Sequence, residues 1–404
     1  MDTITQEWTP TMPPADDALH PPLDDASQPP RPLEIRFTGS GSEYFRIWIV
    51  NLLLCIVTLS LYRPWAKVRR LRYFYANTLV DGHAFDFHGN PKKMLRGYLL
   101  VGLMLISYSA AGRFSAMAAL VALVILAVLW PALLRASMQF RLANTSWRGL
   151  RLRFTGTLAG AYAGMLPLFI PALALGLLRF EIPDPAHPTM LYLKHVYAVM
   201  GLSLLVAPLM WWLFKRYQHD HYALGQWETK LTAGVGSAYG LSFRVLGVSI
   251  LSWIVVVILA VIGGFVFGGV AAATGLMQNK ILSIALIVVL VLIGYMLALM
   301  VPVPYAISRA QNLIWNHTRC DEVSFHSNLS FEGMVKLTIK NWLLMLVTLG
   351  FYYPFASISF YRLRIESVTP QLSGNLDRLQ AQAAGAGDAS GDAAGDLFGI
   401  DIGL

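Results

Sequence analysis

Residues 51–78 read NLLLCIVTLSLYRPWAKVRRLRYFYANT. The stretch is uncharged and apolar as far as Leu61, and from Tyr62 onward it interleaves five basic residues with five aromatics. Cations and rings in one segment suit a single-stranded nucleic-acid platform. An apolar run leading directly into such a segment is more simply the edge of a membrane span, where Trp and Tyr sit at headgroup level and Lys and Arg reach phosphates. The composition of the whole chain decides between the two.

Of 404 residues, 56% are apolar and 13% charged, against about 25% charged in ordinary soluble domains. The mean hydropathy is +0.53. Leu, Val, Ile and Ala fall in blocks rather than in the stripes of a half-buried helix or strand, which is the pattern of membrane spans. The net charge of +8 then reflects Lys and Arg held beside spans, and nucleic acid is not an expected partner. Cys55 and Cys320 lie in unlike surroundings and in no zinc-type spacing, so neither a disulfide nor a metal is expected.

Apolar runs long enough for a span occupy approximately 45–62, 95–112, 114–134, 157–178, 193–214, 244–272, 281–303 and 334–355. The cassette at Pro64 recurs. A shift of 240 residues puts Pro64, Ala66, Arg69, Thr78, Asp81 and Phe85 on Pro304, Ala306, Arg309, Thr318, Asp321 and Phe325. A shift of 290 puts Asn51, Thr58, Tyr62, Pro64 and Arg72 on Asn341, Thr348, Tyr352, Pro354 and Arg362. Weaker copies begin at Pro131 and Pro208, and the first four copies lead into short alternating stretches, HAFDFHG, RLRFTG, TKLTAG and VSFHSN.

The expected fold is therefore an all-α polytopic membrane protein of six to eight membrane helices in divergent repeats. Each span is followed by a Pro-started basic-aromatic interfacial helix and a short extended stretch. The repeat units are 35–84, 85–151, 152–228, 229–322 and 323–369. They are flanked by a disordered acidic Pro-rich tail over 1–34 and a disordered Ala/Gly/Asp tail over 370–404. The four connections carrying a cassette, 63–96, 135–153, 215–244 and 309–340, hold 21 of the 31 Lys and Arg, which places them in the cytoplasm. If the first and last units each span once, both tails lie outside. If those units are re-entrant hairpins, six full spans remain and both tails are cytoplasmic.

The cassette resembles the signature of the YjgN-like bacterial inner-membrane proteins, a domain-of-unknown-function family. Thr58, Leu59, Tyr62, Trp65, Ala66, Arg69, Arg72, Tyr73, Asn77 and Thr78 fit its pattern, and Ser60 stands where Gly is usual, as Gly350 does in the last copy. The entry FTGSGSEYFRIWIVN also matches, and the resemblance covers roughly 35–369. It implies a multi-span inner-membrane protein and supplies no activity.

Candidate sites follow from these patterns. Trp65, Lys67, Arg69, Arg70, Arg72, Tyr73, Arg309 and Arg362 are candidates for lipid headgroup and interface contact, with Arg69 and Arg72 at i,i+3 spacing best placed for phosphate. Pro167 and Pro171 mark a helix break, and Gly264 and Gly268 a helix-packing row. In YQHDHY (217–222) two histidines at i,i+2 face opposite sides of a helix. The copies put His221 at the position of Asn77, Asn144 and His317, a hydrogen-bonding position rather than a metal ligand. The spans hold no ionisable residue well inside, which disfavours ion-coupled transport. No Walker loop, GxSxG or HExxH is present, so no catalytic residue, cofactor or enzyme activity is expected. The expected role is membrane transport or lipid binding with membrane lipids, anionic headgroups among them, as partners. A non-transporting membrane scaffold is the alternative.

Overall fold

A computed structural model describes residues 30–178, 180, 189–274 and 280–373. Strands β1 (Arg31–Pro32) and β2 (Ile35–Phe37) lead to Ser40, whose hydroxyl accepts the Glu43 amide at 3.3 Å and caps helix α1 (Gly41–Val57). The apolar run then doubles back at Leu59 and Ser60, which take φ of 48° and 70°. Thr58 holds this turn together, donating its hydroxyl to Leu54 O at 2.7 Å and accepting the Tyr62 amide at 3.0 Å. Helix α2 (Arg63–Ala76) returns to β3 (Thr78–Val80), which pairs with β2 through Ile35↔Val80 and Phe37↔Thr78.

The chain continues through β4 (His83–Phe87), α3 (Pro91–Phe114), α4 (Ala116–Ala143), β5 (Thr145–Trp147), β6 (Leu150–Phe154) and α5 (Leu158–Met165). A 3-10 turn at Leu166–Phe169 leads to α6 (Ile170–Leu178) and α7 (Met190–His219). Then come β7 (Tyr222–Leu224), β8 (Trp227–Glu228), β9 (Lys230–Leu231), α8 (Val235–Thr274), α9 (Lys280–Met300) and α10 (Pro302–Asn316). The described chain closes with β10 (Thr318–Arg319), β11 (Val323–Ser327), α11 (Phe331–Val347), α12 (Tyr353–Glu366) and β12 (Val368–Leu372). Among the described residues, six stretches are long and apolar enough to cross a membrane: Pro91–Phe114, Ala116–Ala143, Leu158–Leu178, Met190–His219, Val235–Phe265 and Ile281–Asn316.

The alternating stretches do not stay isolated, and the all-α expectation is corrected here. Two antiparallel sheets form, ordered β1-β12-β11-β10-β9 and β2-β3-β4-β5-β6-β7-β8. Only Leu33 and Glu34 separate β1 from β2. The Leu33 amide donates to Pro370 O at 2.8 Å, while Glu34 O accepts from Asp81 at 3.0 Å. Thr229 joins β8 to β9, its amide donating to Tyr222 O at 2.8 Å. The sheets thus run into one another as a closed collar. Strands of two to five residues are marginal alone; closure removes the unpaired edges. Inside the collar Leu33, Val80, Trp147, Val323 and Leu372 bury one another and form an apolar plug. The Arg31↔Leu372 pairing also extends ordered structure into both expected tails, whose remainder lies outside the described residues.

Helix contacts follow chain order around a ring: α1–α2, α2–α3, α3–α4, α4–α5, α5–α7, α7–α8, α8–α10, α10–α11, α11–α12, and α12 back on α1. Every helical arm starts and ends on the collar, because β2 pairs with β3, β4 with β5, β6 with β7, β9 with β10 and β11 with β12. The α1–α2 and α11–α12 pairs are therefore hairpins whose two ends meet at the collar. The second repeats the first's turn: Leu349 and Gly350 have φ of 49° and 90°, and Thr348 donates to Leu344 O at 2.6 Å and accepts the Tyr352 amide at 3.0 Å.

Pro64, Pro304 and Pro354 lie at helix starts, but Pro131 and Pro208 lie inside α4 and α7. There the expectation of a separate Pro-started helix is corrected. At membrane depth a chain keeps its backbone groups paired by remaining helical, so the proline is carried within one long helix. Collar and helices meet at Phe-x-Gly corners. At Gly156 an added Cβ would meet the Phe154 ring at 2.5 Å and the Tyr217 hydroxyl at 2.7 Å, so only glycine lets the ring fold back.

Candidate functional site

Alternate arms of the ring, α2, α10 and α12, line a cavity of about 460 Å³ directly above the plug. Its walls include Arg70, Phe74, Gln311, Trp315, Tyr361 and Arg364. Gln311 sits on α10 and binds α12 twice: its Nε2 donates to Arg364 O at 2.8 Å, and its Oε1 accepts from Arg364 Nε at 2.8 Å. This clamp fixes the guanidinium while its Nη groups make no hydrogen bond to the described residues. Surrounding protein pushes the Arg364 pKa down, although the side chain keeps a face open to the cavity.

Lys215 on α7 lies within electrostatic range of both Arg364 on α12 and Arg141 on α4. Lys215 Nζ donates to Gln218 Oε1 at 2.9 Å, and Gln218 and Arg141 both bear on Tyr222. Burial pushes the Tyr222 phenol up to about 12 and the Tyr361 phenol upward, so both are neutral at physiological pH. Tyr361 is held by Thr78, hydroxyl to hydroxyl at 3.0 Å. Arg70, Gln311 and Arg364 thus come to the cavity from three helices, and no carboxylate is among its described lining residues.

Of the residues singled out from sequence, Arg70 alone lines this chamber, its guanidinium 5.6 Å from the Phe74 ring centre. Arg69 and Arg309 are exposed and lie over the Tyr62 and Tyr305 rings, and Trp65 stacks on Tyr62. Arg72 donates to Phe87 O at 3.2 Å and Arg362 to Gly39 O at 2.7 Å. Both arginines thus bridge an inner helix to the Phe-x-Gly corner of the next unit, as Arg135 does at Gly156 O. The Tyr73 hydroxyl accepts the Ser40 amide at 2.8 Å, and Lys67 is half-buried. Pro167 falls in the 3-10 turn and Pro171 in the first turn of α6, where Leu166, Leu168 and Ile170 are exposed. Nothing lies within 4 Å of a Cβ built on Gly264 or Gly268. The close approach of α8 and α9 is instead at Gly294, where a Cβ would meet Val256 at 3.6 Å.

Asn77, Asn144, His221 and His317 each bond the carbonyl four residues back, at 2.8 Å in every case. They close the last helical turn ahead of the collar strands. His219 meets Thr318 at 3.2 Å, while Asp220 accepts the Leu231 amide at 2.7 Å. The three YQHDHY side chains therefore serve three different partners. Among the described residues no group of three His, Cys, Asp or Glu could hold a metal. The chamber residues Gln311 and Arg364 were not singled out from sequence, nor were Arg141 and Lys215. A signal existed in the copies: Lys215 and Gln311 each stand seven residues after their proline, and Arg141 and Arg364 ten.

The family described as "Bacterial protein of unknown function (DUF898)" matches residues 32–397. The chain is 25% identical over 370 residues to the inner membrane protein YjgN of Salmonella typhimurium strain LT2, covering 85% of this chain and 89% of that protein. It is 30% identical over 146 residues to inner membrane protein YjgN of Escherichia coli O157:H7, 35% of each chain. Against the protein of that name from strain K12 it is 49% identical over 51 residues, 13% of each. No solved structure matches the chain.

Proposed function

The chain belongs to the DUF898 family of bacterial proteins, and on that premise we propose that this multi-pass inner-membrane protein binds a phosphate-type anion in its central chamber, in the service of lipid binding or membrane transport. The observation that carries this reading is that Arg70 on α2 and Arg364 on α12 line one cavity with no carboxylate among its described lining residues. Like charges facing one cavity repel one another. A bound phosphate relieves that repulsion, and arginine's fork is the geometry that recognises it. The lining contains Arg, Gln, Tyr and Trp but no His, Cys or carboxylate suited to proton transfer. That composition supports binding over catalysis.

The five strand-flanked units are divergent repeats in this reading. The shared bond of Asn77, Asn144, His221 and His317 and the twin turns at 58–60 and 348–350 support it. The concentration of Lys and Arg beside the collar supports a cytoplasmic collar, with both chain ends on that side. Outward-facing Arg69 and Arg309, backed by Tyr62 and Tyr305, are then positioned at the headgroups of the cytoplasmic leaflet.

The test is thermal unfolding of the detergent-solubilised protein with and without inorganic phosphate at constant ionic strength. The expected result is a phosphate-dependent stabilisation that the Lys215→Met/Arg364→Gln double variant lacks. Equal responses in both proteins would overturn the reading and leave the scaffold role.

A further inference from the structure

The wall around the chamber is uneven. Helix α4 runs from Ala116 to Pro131 before its cassette, and α7 from Met190 to Pro208. At 1.5 Å per residue that is about 22–27 Å of additional wall. Helices α2 and α12 have no such extension, since they begin one residue before Pro64 and Pro354. The two short hairpins are also adjacent in the ring: α1 contacts α12, with Trp48 6.4 Å from Phe351 and 6.1 Å from Tyr353. Together they make one continuous low sector, about 21 Å tall if measured along the 14 residues of α2.

Two features show what the low sector meets. Its crest is apolar and bare, with Leu59 and Leu349 both 89% exposed and Val57 and Val347 both 79% exposed. Such a crest is stable against acyl chains and not against water. At its foot lies the basic chamber, whose lining comes from α2 and α12 themselves together with α10. A volume of about 460 Å³ suits a polar headgroup, within the range of small-molecule sites, and leaves acyl chains to be housed elsewhere.

We propose, building on the anion-binding reading above, that the chamber's occupant is an anionic phospholipid of the bilayer. Its phosphate is held by Arg70 and Arg364. Phe74 and Trp315 floor the chamber on the collar side, and the lipid's acyl chains leave the ring in the opposite direction, over the Leu59 and Leu349 crest into the surrounding membrane. The low sector admits a ligand that is anionic at one end and apolar at the other. A free phosphate would need neither the gap nor the bare crest.

The experiment uses the full chain in nanodiscs of phosphatidylcholine containing a small fraction of phosphatidylglycerol brominated at the acyl carbons nearest the glycerol, beside the headgroup. Bromine quenches tryptophan only at contact, and a Trp315→Phe variant isolates the contribution of the chamber. The expected result is Trp315-dependent quenching that unbrominated phosphatidylglycerol displaces. It should fall at least tenfold in apparent affinity in Arg364→Gln, and also in Arg70→Gln, which keeps the Gln311 clamp. Glycerol 1-phosphate, the same headgroup without chains, should displace the lipid at least tenfold less well. Glycerol 1-phosphate displacing as well as the lipid, with no Trp315 quenching, would overturn the lipid assignment while leaving the chamber an anion site. Brominated phosphatidylcholine quenching Trp315 equally would overturn headgroup recognition. If neither phosphatidylglycerol nor glycerol 1-phosphate bound, the anion-binding reading itself would fall.

Discussion

Lys215→Met separates stability from binding. In the empty protein Lys215 feels Arg141 and Arg364 as like charges. For charges taken to be about 8 Å apart at an effective dielectric near 20, each repulsion is worth about 2 kcal/mol. Methionine matches the stem of lysine and removes both repulsions. Against that gain stand the lost bond to Gln218 at 2.9 Å and the contact of the ammonium with the Phe214 ring at 5.5 Å, together about 1–2 kcal/mol. The net expectation is about 2–3 kcal/mol of added stability, or a rise of about 2–4 °C in Tm. Anion binding moves the other way, because a cation within range of Arg364 is gone: affinity should fall about tenfold, near 1.4 kcal/mol. Tryptophan-fluorescence melts of the solubilised protein, with and without phosphatidylglycerol, read both effects. A lower Tm in the absence of lipid, or an undiminished lipid-dependent shift, would refute the placing of Lys215 within range of these cations.

Three further outcomes test the fold and its edges. Gly156→Ala should cost about 1–3 kcal/mol, because the new methyl meets Phe154 and Tyr217; a melt matching the wild type would contradict the Phe-x-Gly corner. Thr348→Val removes both hydroxyl bonds of the second hairpin turn and should cost about 1–2 kcal/mol, with earlier proteolysis at the tip as the second readout. Burial raises the Cys320 thiol pKa, so less of it is thiolate at any given pH. Its alkylation in a Cys55→Ser background should lag a free thiol, with a rate still climbing above pH 9, and a rate that levels off below pH 9 would be inconsistent with that burial.

The local features were legible because their physics is local. The polar bond at Asn77, Asn144, His221 and His317 spans four residues, so alignment of the copies was enough to find it. The long spans declare themselves through uninterrupted apolar length. Residues 41–76 and 331–366 were ambiguous for the converse reason: their apolar runs are of borderline length, equally compatible with one short crossing or half of a hairpin. Strands as brief as β8 or β9, of two residues each, carry no periodicity to detect.

By itself, then, the sequence established a polytopic membrane protein, since lipid selects for composition. Only the tertiary structure decided that both end units are hairpins whose ends meet at the collar, because β2 pairs with β3 and β11 with β12. It alone decided which cations matter. Arg72 and Arg362 are taken up by collar carbonyls. Lys215 comes within electrostatic range of Arg141 and Arg364 only in the folded chain. Charges separated by 74 and 149 residues in sequence have no interaction until closure brings their helices together, and closure is a property of the β1–β12 and α1–α12 contacts rather than of any single cassette.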